Sequence, residues 1–337
     1  MRKRVYVAYT GGTIGMKRTR KGYEPKTGYL QEQMEGIPEL RHASMPSVTV
    51  HEYEPLLDSS NMTPRQWLEI ARDIAAQHDD YDGFVVVHGT DTMAYTASAL
   101  PFLLDGLAKP VVITGSQIPL CEIRNDAREN LITSLMIASG YAIPEVCLYF
   151  GGKLLRGCRS VKVSASGFAA FDSPNFLPLG EAGIDINIRW ELVRKPGRKK
   201  RVTVPELGTP VVSALRLFPG ISHEHVRNVL RPPLQGLVLE AYGVGNGPDQ
   251  DAEFIAALEE AAARDVVIVD CTQCLEGRVD LSEYAAGSAL ARAGVISGFD
   301  MTAEAAVAKL YYLFGRGDSP AKVKREMQRD LCGELTP

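Results

Sequence analysis

The hydrophobic positions of this chain fall into short runs that end in turns rich in glycine and hydroxyl side chains. Residues 5–9 alternate apolar and aromatic side chains, as a strand does, and stop at Thr10-Gly11-Gly12-Thr13-Ile14-Gly15. Residues 48–53 alternate again and predict a second strand. It leads through Asp58-Ser59-Ser60 to Thr63-Pro64, an N-cap followed by proline at the first helical position. Trp67, Ile70, Ala71 and Ile74, at helical spacing, give the helix that follows one buried face. Residues 83–88 form a continuous apolar run, the mark of a strand covered on both faces, which ends at Gly89-Thr90-Asp91-Thr92 before a helix over 93–104. Residues 109–113 end at Thr114-Gly115-Ser116-Gln117 and precede a helix over 125–139. A strand over 145–150 meets Gly151-Gly152-Lys153, a hairpin turn, before an apolar stretch over 154–163 that carries Arg156, Arg159 and Lys162. Residues 16–25 are charged and turn-rich without a helical period. The polar region 22–46, punctuated by Gly28, Gly36, Pro38 and Pro46, predicts a long lid-like loop with a short helix.

After 189 the composition changes to Arg194-Lys195-Pro196-Gly197-Arg198-Lys199-Lys200-Arg201, with Pro205 and Pro210 beyond, which predicts a linker over 189–210 between domains 1–188 and 211–337. The alternation then resumes. Strands are predicted over 211–218, 236–241 and 266–270, and helices over 222–230, 249–264 and 302–314, with Tyr242-Gly243-Val244-Gly245-Asn246-Gly247-Pro248 as a turn. The fold class expected is α/β, with a larger N-terminal parallel-sheet domain bearing helices on both faces and a smaller C-terminal parallel α/β domain.

Charge and composition narrow the function classes. The chain has 337 residues, 45% of them hydrophobic, and a net charge of −4, so no global field draws it to nucleic acid or to an anionic membrane. The basic cluster at 194–201 lacks interleaved aromatics and reads as a solvated hairpin. Met1-Arg2-Lys3-Arg4 is basic like a signal peptide, but the apolar run behind it is too short for export, and no stretch is long enough to span a membrane. The 6 cysteines are scattered, which predicts reduced thiols in the cytoplasm. Cys271-Thr272-Gln273-Cys274 has redox spacing but no second ligand pair for zinc, so no metal or cofactor is expected.

In an open parallel sheet all carboxyl ends lie on one edge, so Thr13, Ser59, Thr90, Asp91 and Thr114 can converge there and form a polar pocket suited to a small amide or acid. A plain strand corner with incidental threonines is the alternative for the first turn. A phosphate cradle fits it less well, because threonine stands where the dinucleotide fingerprint needs its first glycine and no Gly-Lys-Ser/Thr follows. Tyr23 and Tyr29 are either solvent-facing or part of a site. Lys162 is either an edge residue or, if partly desolvated near the pocket, a proton acceptor. Without a His-Glu-x-x-His or Gly-x-Ser-x-Gly motif, threonine hydroxyls remain as nucleophiles, and Thr90-Asp91 with a lysine would supply the proton relay such a nucleophile needs.

With those residues in hand, the chain resembles the L-asparaginase family, in particular its bacterial cytoplasmic, type I members. The resemblance runs through Tyr9 to Gly15, Asp58-Ser59-Ser60, Gly83 to Leu100, Thr114-Gly115-Ser116-Gln117-Ile118-Pro119, Gly243-Val244-Gly245-Asn246 and Gly333-Glu334-Leu335-Thr336-Pro337, and so covers essentially the whole sequence. It implies that Thr13 attacks the side-chain amide of L-asparagine, that Thr90, Asp91 and Lys162 relay protons, and that Tyr23 on the lid assists. It further implies that Asp58, Ser59 and Ser60 hold the substrate's α-groups, that Thr90 and Asp91 also contact the substrate, that backbone at Thr114 and Gly115 lies near the amide, and that Asn246 reaches the site from a neighbouring subunit of a dimer or dimer of dimers. Some cytoplasmic members bind a second asparagine through an arginine, a threonine before the catalytic lysine and a Thr-Gln-Cys segment. Here Thr272-Gln273-Cys274 survives, but Glu240 and Val161 stand at the other two positions, so the expected effector site is impaired. Rival readings are an ammonia-supplying amidotransferase subunit, whose resemblance to this chain begins only after an additional amino-terminal domain, and a non-enzymatic amino-acid sensor.

Overall fold

The computed structural model describes residues 2–20, 22–197 and 201–337. Arg198, Lys199 and Lys200 of the basic cluster, with Met1 and Lys21, lie outside the described residues. The chain forms two compact units, Met1–Val204 and Pro205–Pro337. Within the stretch 189–210, Thr203 still pairs with Asp105 of the first unit.

The first unit is built on an eight-stranded sheet. Five strands are parallel, in the spatial order Ser47–Leu57, Arg4–Gly11, Gly83–Val87, Val111–Thr114, Val146–Phe150. Both Gly151 and Gly152 take positive φ, 55° and 83°, so a tight two-glycine turn reverses the chain there. Lys153–Arg156, Gly180–Ala182 and Ile186–Ile188 therefore extend the sheet antiparallel. The predicted run 154–163 is broken: Lys153–Arg156 is followed by a 3-10 turn at Gly157–Arg159 and a separate short strand, Val161–Lys162. At Gly157 a side chain would stand 2.5 Å from the Ala97 carbonyl oxygen, so the chain passes under the helix Met93–Leu103 there instead of continuing in the sheet.

Both faces of this sheet are covered. Val5, Val7, Tyr9, Val85, Val87 and Val112 share a core with Leu131, Leu135 and Ala138 of the helix Ala127–Gly140. The alternate positions, Tyr6, Ala8, Phe84, Val86, Val111 and Ile113, are also buried, beneath the helices Pro64–Gln77 and Met93–Leu103. The region expected to be turn-rich forms an antiparallel hairpin, Met16–Thr19 with Gly22–Pro25, because Gly22 at φ 118° closes the reversal. Within the polar region beyond it lie a helix, Tyr29–Glu35, and a 3-10 turn, Pro38–Arg41.

The second unit is a four-stranded parallel sheet in the order Val212–Arg216, Gly236–Ala241, Val267–Thr272, Ile296–Ser297. The helices His223–Val229 and Ala252–Ala263 cover one face. The helices Ala303–Gly315 and Pro320–Met327 cover the other. A further helix, Ala285–Arg292, lies in the glycine-punctuated stretch, where Gly287 packs against the Leu281 backbone. Lys309 and Glu334, both fully buried, pair at 2.6 Å; Glu334 also accepts from the backbone N–H of Leu331 and Cys332.

The strand Arg4–Gly11 is flanked by Ser47–Leu57 on one side and by Gly83–Val87 on the other, so the strand order reverses at this point. Open α/β sheets form a crevice at the carboxyl ends of such strands. Glycines bring the three strand ends together. Gly11, at φ 131°, lies against the Leu57 backbone, and a side chain at Gly12, at φ 94°, would stand 2.5 Å from the Cα of Gly89. One at Gly89 would in turn stand 2.5 Å from Ser59 Oγ. Gly12→Ala should destabilise the fold by about 3 kcal/mol, the sum of a positive-φ cost and an overpacking cost. Gly22→Ala, at an equally positive φ but with nothing within 4 Å, should cost only about 1 kcal/mol. Urea titration of both variants measures the difference, and equal losses would show that the contact with Gly89 contributes nothing.

Candidate active site

Thr13 opens a 3-10 turn, Thr13–Gly15, directly after Gly12 and is half-buried. Thr90 follows Gly89 and is 7% exposed. Because Gly12 and Gly89 are in backbone contact, the two threonines stand on adjoining stretches of chain.

His88 fixes the turn that presents Thr90. Its Nδ1 lies 2.7 Å from the carbonyl of Gly89 and its Nε2 2.9 Å from Thr96 Oγ1. A carbonyl only accepts, so Nδ1 carries the proton and Nε2 accepts from the Thr96 hydroxyl. This neutral ring is fully buried, and desolvation pushes its pKa down to about 4.

Lys162 reaches the same turn from its short strand. Its Nζ donates to Thr90 Oγ1 at 3.0 Å and to Asp91 Oδ1 at 2.8 Å. The Asp91 side chain is 64% exposed, so the ion pair adds little to stability; its effect is to aim the amine at the Thr90 hydroxyl. Thr90 Oγ1 donates to Gln117 Oε1 at 3.3 Å, and Gln117 Nε2 donates to the Gly167 carbonyl at 3.1 Å. The backbone N–H groups of Gln117 and Ile118 both donate to the buried carboxylate of Asp126. Leu120 N–H donates to the Ile14 carbonyl, so the segment after Gln117 is stitched to the Thr13 turn.

The other residues singled out in the first unit divide by what their polar atoms already do. Asp58 Oδ1 accepts from Ser60 N–H and caps the turn Ser59–Asn61; Ser60 is exposed, whereas Ser59 is buried against Gly89 and its carbonyl accepts from Thr92 Oγ1. Thr114 is fully buried, and its hydroxyl donates to the Tyr149 carbonyl, so it offers the crevice backbone only. The carbonyl of Gly115 accepts from Asn130 Nδ2. Tyr23 is 43% exposed and its hydroxyl donates to Glu122 Oε1 at 2.8 Å, a bond that raises its pKa; that bond directs the hydroxyl to Glu122, not to Thr13. Tyr29 is buried in the helix that follows.

In the second unit, Asn246 closes a turn with Tyr242 through paired backbone bonds, and its Oδ1 is buried without a partner. Glu240 pairs with Arg216 of the adjacent strand at 3.3 Å. Burial pushes the pKa of Glu304 up, and the neighbouring charge of Glu240 adds to the shift. Thr272 Oγ1 donates to the Gly243 carbonyl, Cys274 N–H donates to Thr272 Oγ1, and Gln273 Nε2 donates to the carbonyls of Leu217 and Glu240. Among the described residues no cluster of histidine, cysteine and carboxylate side chains is arranged to hold a metal ion, and no helix is long and apolar enough to cross a membrane.

Residues 4–194 match the family profile described as "Asparaginase, N-terminal", and residues 211–327 match "Glutaminase/Asparaginase C-terminal domain". The chain belongs to the asparaginase family. It is 50% identical over 336 residues to "L-asparaginase 1" of Escherichia coli (strain K12), covering 100% of this chain and 99% of that one. It is 45% identical over 356 residues to the "60 kDa lysophospholipase" of Homo sapiens, covering 99% of this chain and 62% of that one. The solved structure of L-asparaginase I from Vibrio cholerae O1 biovar eltor superposes with a TM-score of 0.92 at 49% identity, covering 100% of both chains.

Within this asparaginase-family framework, Gln117 and Asp126 are the site residues that sequence reasoning did not single out. Gln117 stood in a quoted motif without a role; a glutamine before Ile-Pro at a strand end was its only signal. Asp126 was hidden inside a predicted helix, although an aspartate near a helix start is a capping signal.

The folded pKa of His88, about 4, lies below the usual 6.5, so the unfolded chain takes up a proton between those values that the native state does not. Stability should therefore fall as pH drops from about 6.5 towards 4, with His88 contributing up to about 3 kcal/mol of the loss. His88→Gln should reduce proton uptake on unfolding at pH 5 by about one, measured from the pH dependence of urea unfolding. An unchanged slope would show that His88 is not held neutral.

Proposed function

We propose that this chain hydrolyses L-asparagine to L-aspartate and ammonia. The observation that carries this reading is Lys162 Nζ set between Thr90 Oγ1 and Asp91 Oδ1, on a turn in backbone contact with the one that bears Thr13. Thr13 Oγ attacks the side-chain amide carbon while its proton passes to the relay. The C–N bond breaks, the nitrogen takes a proton and leaves as ammonia, and a β-aspartyl ester remains on Thr13. Water then attacks that ester, its proton goes to the relay, and Thr13 recovers its hydroxyl. Asp58, Ser59 and Ser60 hold the α-amino and α-carboxylate groups, with the backbone at Thr114 and Gly115 near the amide. Tyr23 assists Thr13 once it leaves Glu122.

Small polar groups suit a crevice for a compact zwitterion and suit a lipid chain poorly. The amidotransferase and sensor readings are not favoured by relatives named L-asparaginase that match along the whole chain. We further propose that the enzyme works in the cytoplasm as a homodimer or dimer of dimers, with Asn246 completing a neighbouring subunit's site. No cofactor takes part in this scheme, and neither nucleic acid nor a membrane is a partner.

Thr13→Ala should lower asparagine hydrolysis by about 10³-fold or more in a protein that still folds, as measured by ammonia release. Near-normal turnover would overturn the assignment. Lys162→Met should cost about 10² to 10⁴-fold in kcat with little change in KM. A loss confined to KM would make Lys162 a substrate-binding group. The rate should also depend hyperbolically on asparagine. Arg216 is already paired with Glu240, and the carboxylate of Glu240 would repel an effector's carboxylate, at a cost of roughly 2 to 5 kcal/mol in a desolvated site. A Hill coefficient clearly above one, lost on substituting Thr272 or Cys274, would restore the effector site.

A further inference from the structure

A threonine hydroxyl has one proton to give and two lone pairs with which to accept. At Thr90, Lys162 Nζ occupies one lone pair, so the proton is directed elsewhere, and the acceptor in place is Gln117 Oε1. The glutamine is not free to turn its amide over. Its Nε2 donates to the Gly167 carbonyl, and a carbonyl has no proton to return, so the oxygen end must face Thr90. Gln117 is itself held at its root, where its N–H donates to both oxygens of Asp126 at 3.1 and 2.9 Å. Asp126 is 8% exposed and also accepts from Ile118 N–H and Asn130 Nδ2. Gly167 lies in the turn that follows Lys162, whose N–H groups at Val163 and Ser164 both donate to the Ala170 carbonyl. One amide therefore touches the hydroxyl of the relay at one end and the loop behind its lysine at the other.

We propose that Gln117 is a positioning residue of the hydrolytic reaction: it sets the direction of the Thr90 hydroxyl and so leaves one defined lone pair of Thr90 facing the crevice. The proposal rests on the hydrolase reading above. Without the Gln117 acceptor, the Thr90 proton swings into the remaining directions, and the fraction of molecules in which Thr90 presents an acceptor to the crevice falls. Substrate binding by Asp58, Ser59 and Ser60 is untouched, so the loss belongs in kcat.

The test uses the full chain and compares Gln117→Met, which keeps the length and removes both polar ends, with Gln117→Glu, which keeps an acceptor facing Thr90 and removes the donor to Gly167. Gln117→Met is expected to lower kcat for asparagine by about tenfold or more, with KM within about threefold of the parent. Gln117→Glu is expected to recover kcat to within about fivefold. The proposal is overturned if kcat of Gln117→Met stays within about fivefold of the parent, if Gln117→Glu is as slow as Gln117→Met, or if the loss appears in KM. Should Gln117→Met not fold, Gln117→Asn, whose amide is one methylene short of Thr90, replaces it under the same criteria. Ammonia release by the parent separates the two ideas. A parent that releases none sinks the hydrolase reading, whereas an active parent matched by Gln117→Met sinks only the role of Gln117.

Discussion

The arrangement depends on backbone meeting backbone at the carboxyl edge of the large sheet. Three strand ends converge there, and Gly11, Gly12 and Gly89 let them approach more closely than any side chain would permit. The contact between Gly12 and Gly89 places Thr13 beside Thr90. The contact between Gly89 and Ser59 places the turn after Asp58 beside both. Each threonine or serine then needs no long side chain to reach its neighbours, so little rotational freedom is lost in aligning them.

Around this contact the polar groups divide into those that hold and those that are left to react. Thr10 and Thr114 donate to carbonyls of neighbouring strands, and His88 is tied at both ring nitrogens. Asp126 is saturated by backbone N–H groups. These are buried and satisfied, which is what keeps a cluster of polar atoms in the core from costing several kcal/mol each. Thr13, Asp91 and Lys162 are at least partly open, and Thr90, though buried, keeps one lone pair of its hydroxyl unused.

Much of this was readable from the chain. The strands ending at Gly11, Val87 and Thr114 are nearly continuous apolar runs, and only a sheet covered on both faces buries such runs. The threonines at their ends, with Asp91, were visible for the same reason. The run 154–163 misled, because its apolar residues conceal a turn at Gly157 that is demanded by the helix above it, a tertiary contact with no local signature. The hairpin at Met16–Pro25 was missed because both of its faces are largely exposed, so it shows no alternation. The helix Ala285–Arg292 is short and buries only Gly287 and Leu290, so no run of large apolar side chains marks it. Gln117 was legible as a residue but not as a role, because its meaning comes from the Thr90 hydroxyl and the Gly167 carbonyl, both remote in sequence.

The contact between Gly12 and Gly89 also shapes how this scaffold can change. Gly12 cannot acquire a side chain unless the Gly89 backbone retreats, and Gly89 cannot unless Ser59 does, so sequences that differ at one of these positions alone are cut off from their neighbours in sequence space. Apart from Ser59, the side chains around them carry no such restriction, since the frame that carries them is fixed by main chain. A crevice of this kind can exchange its ligand contacts one at a time while its geometry stays locked, which separates the rate at which its specificity drifts from the rate at which its architecture does.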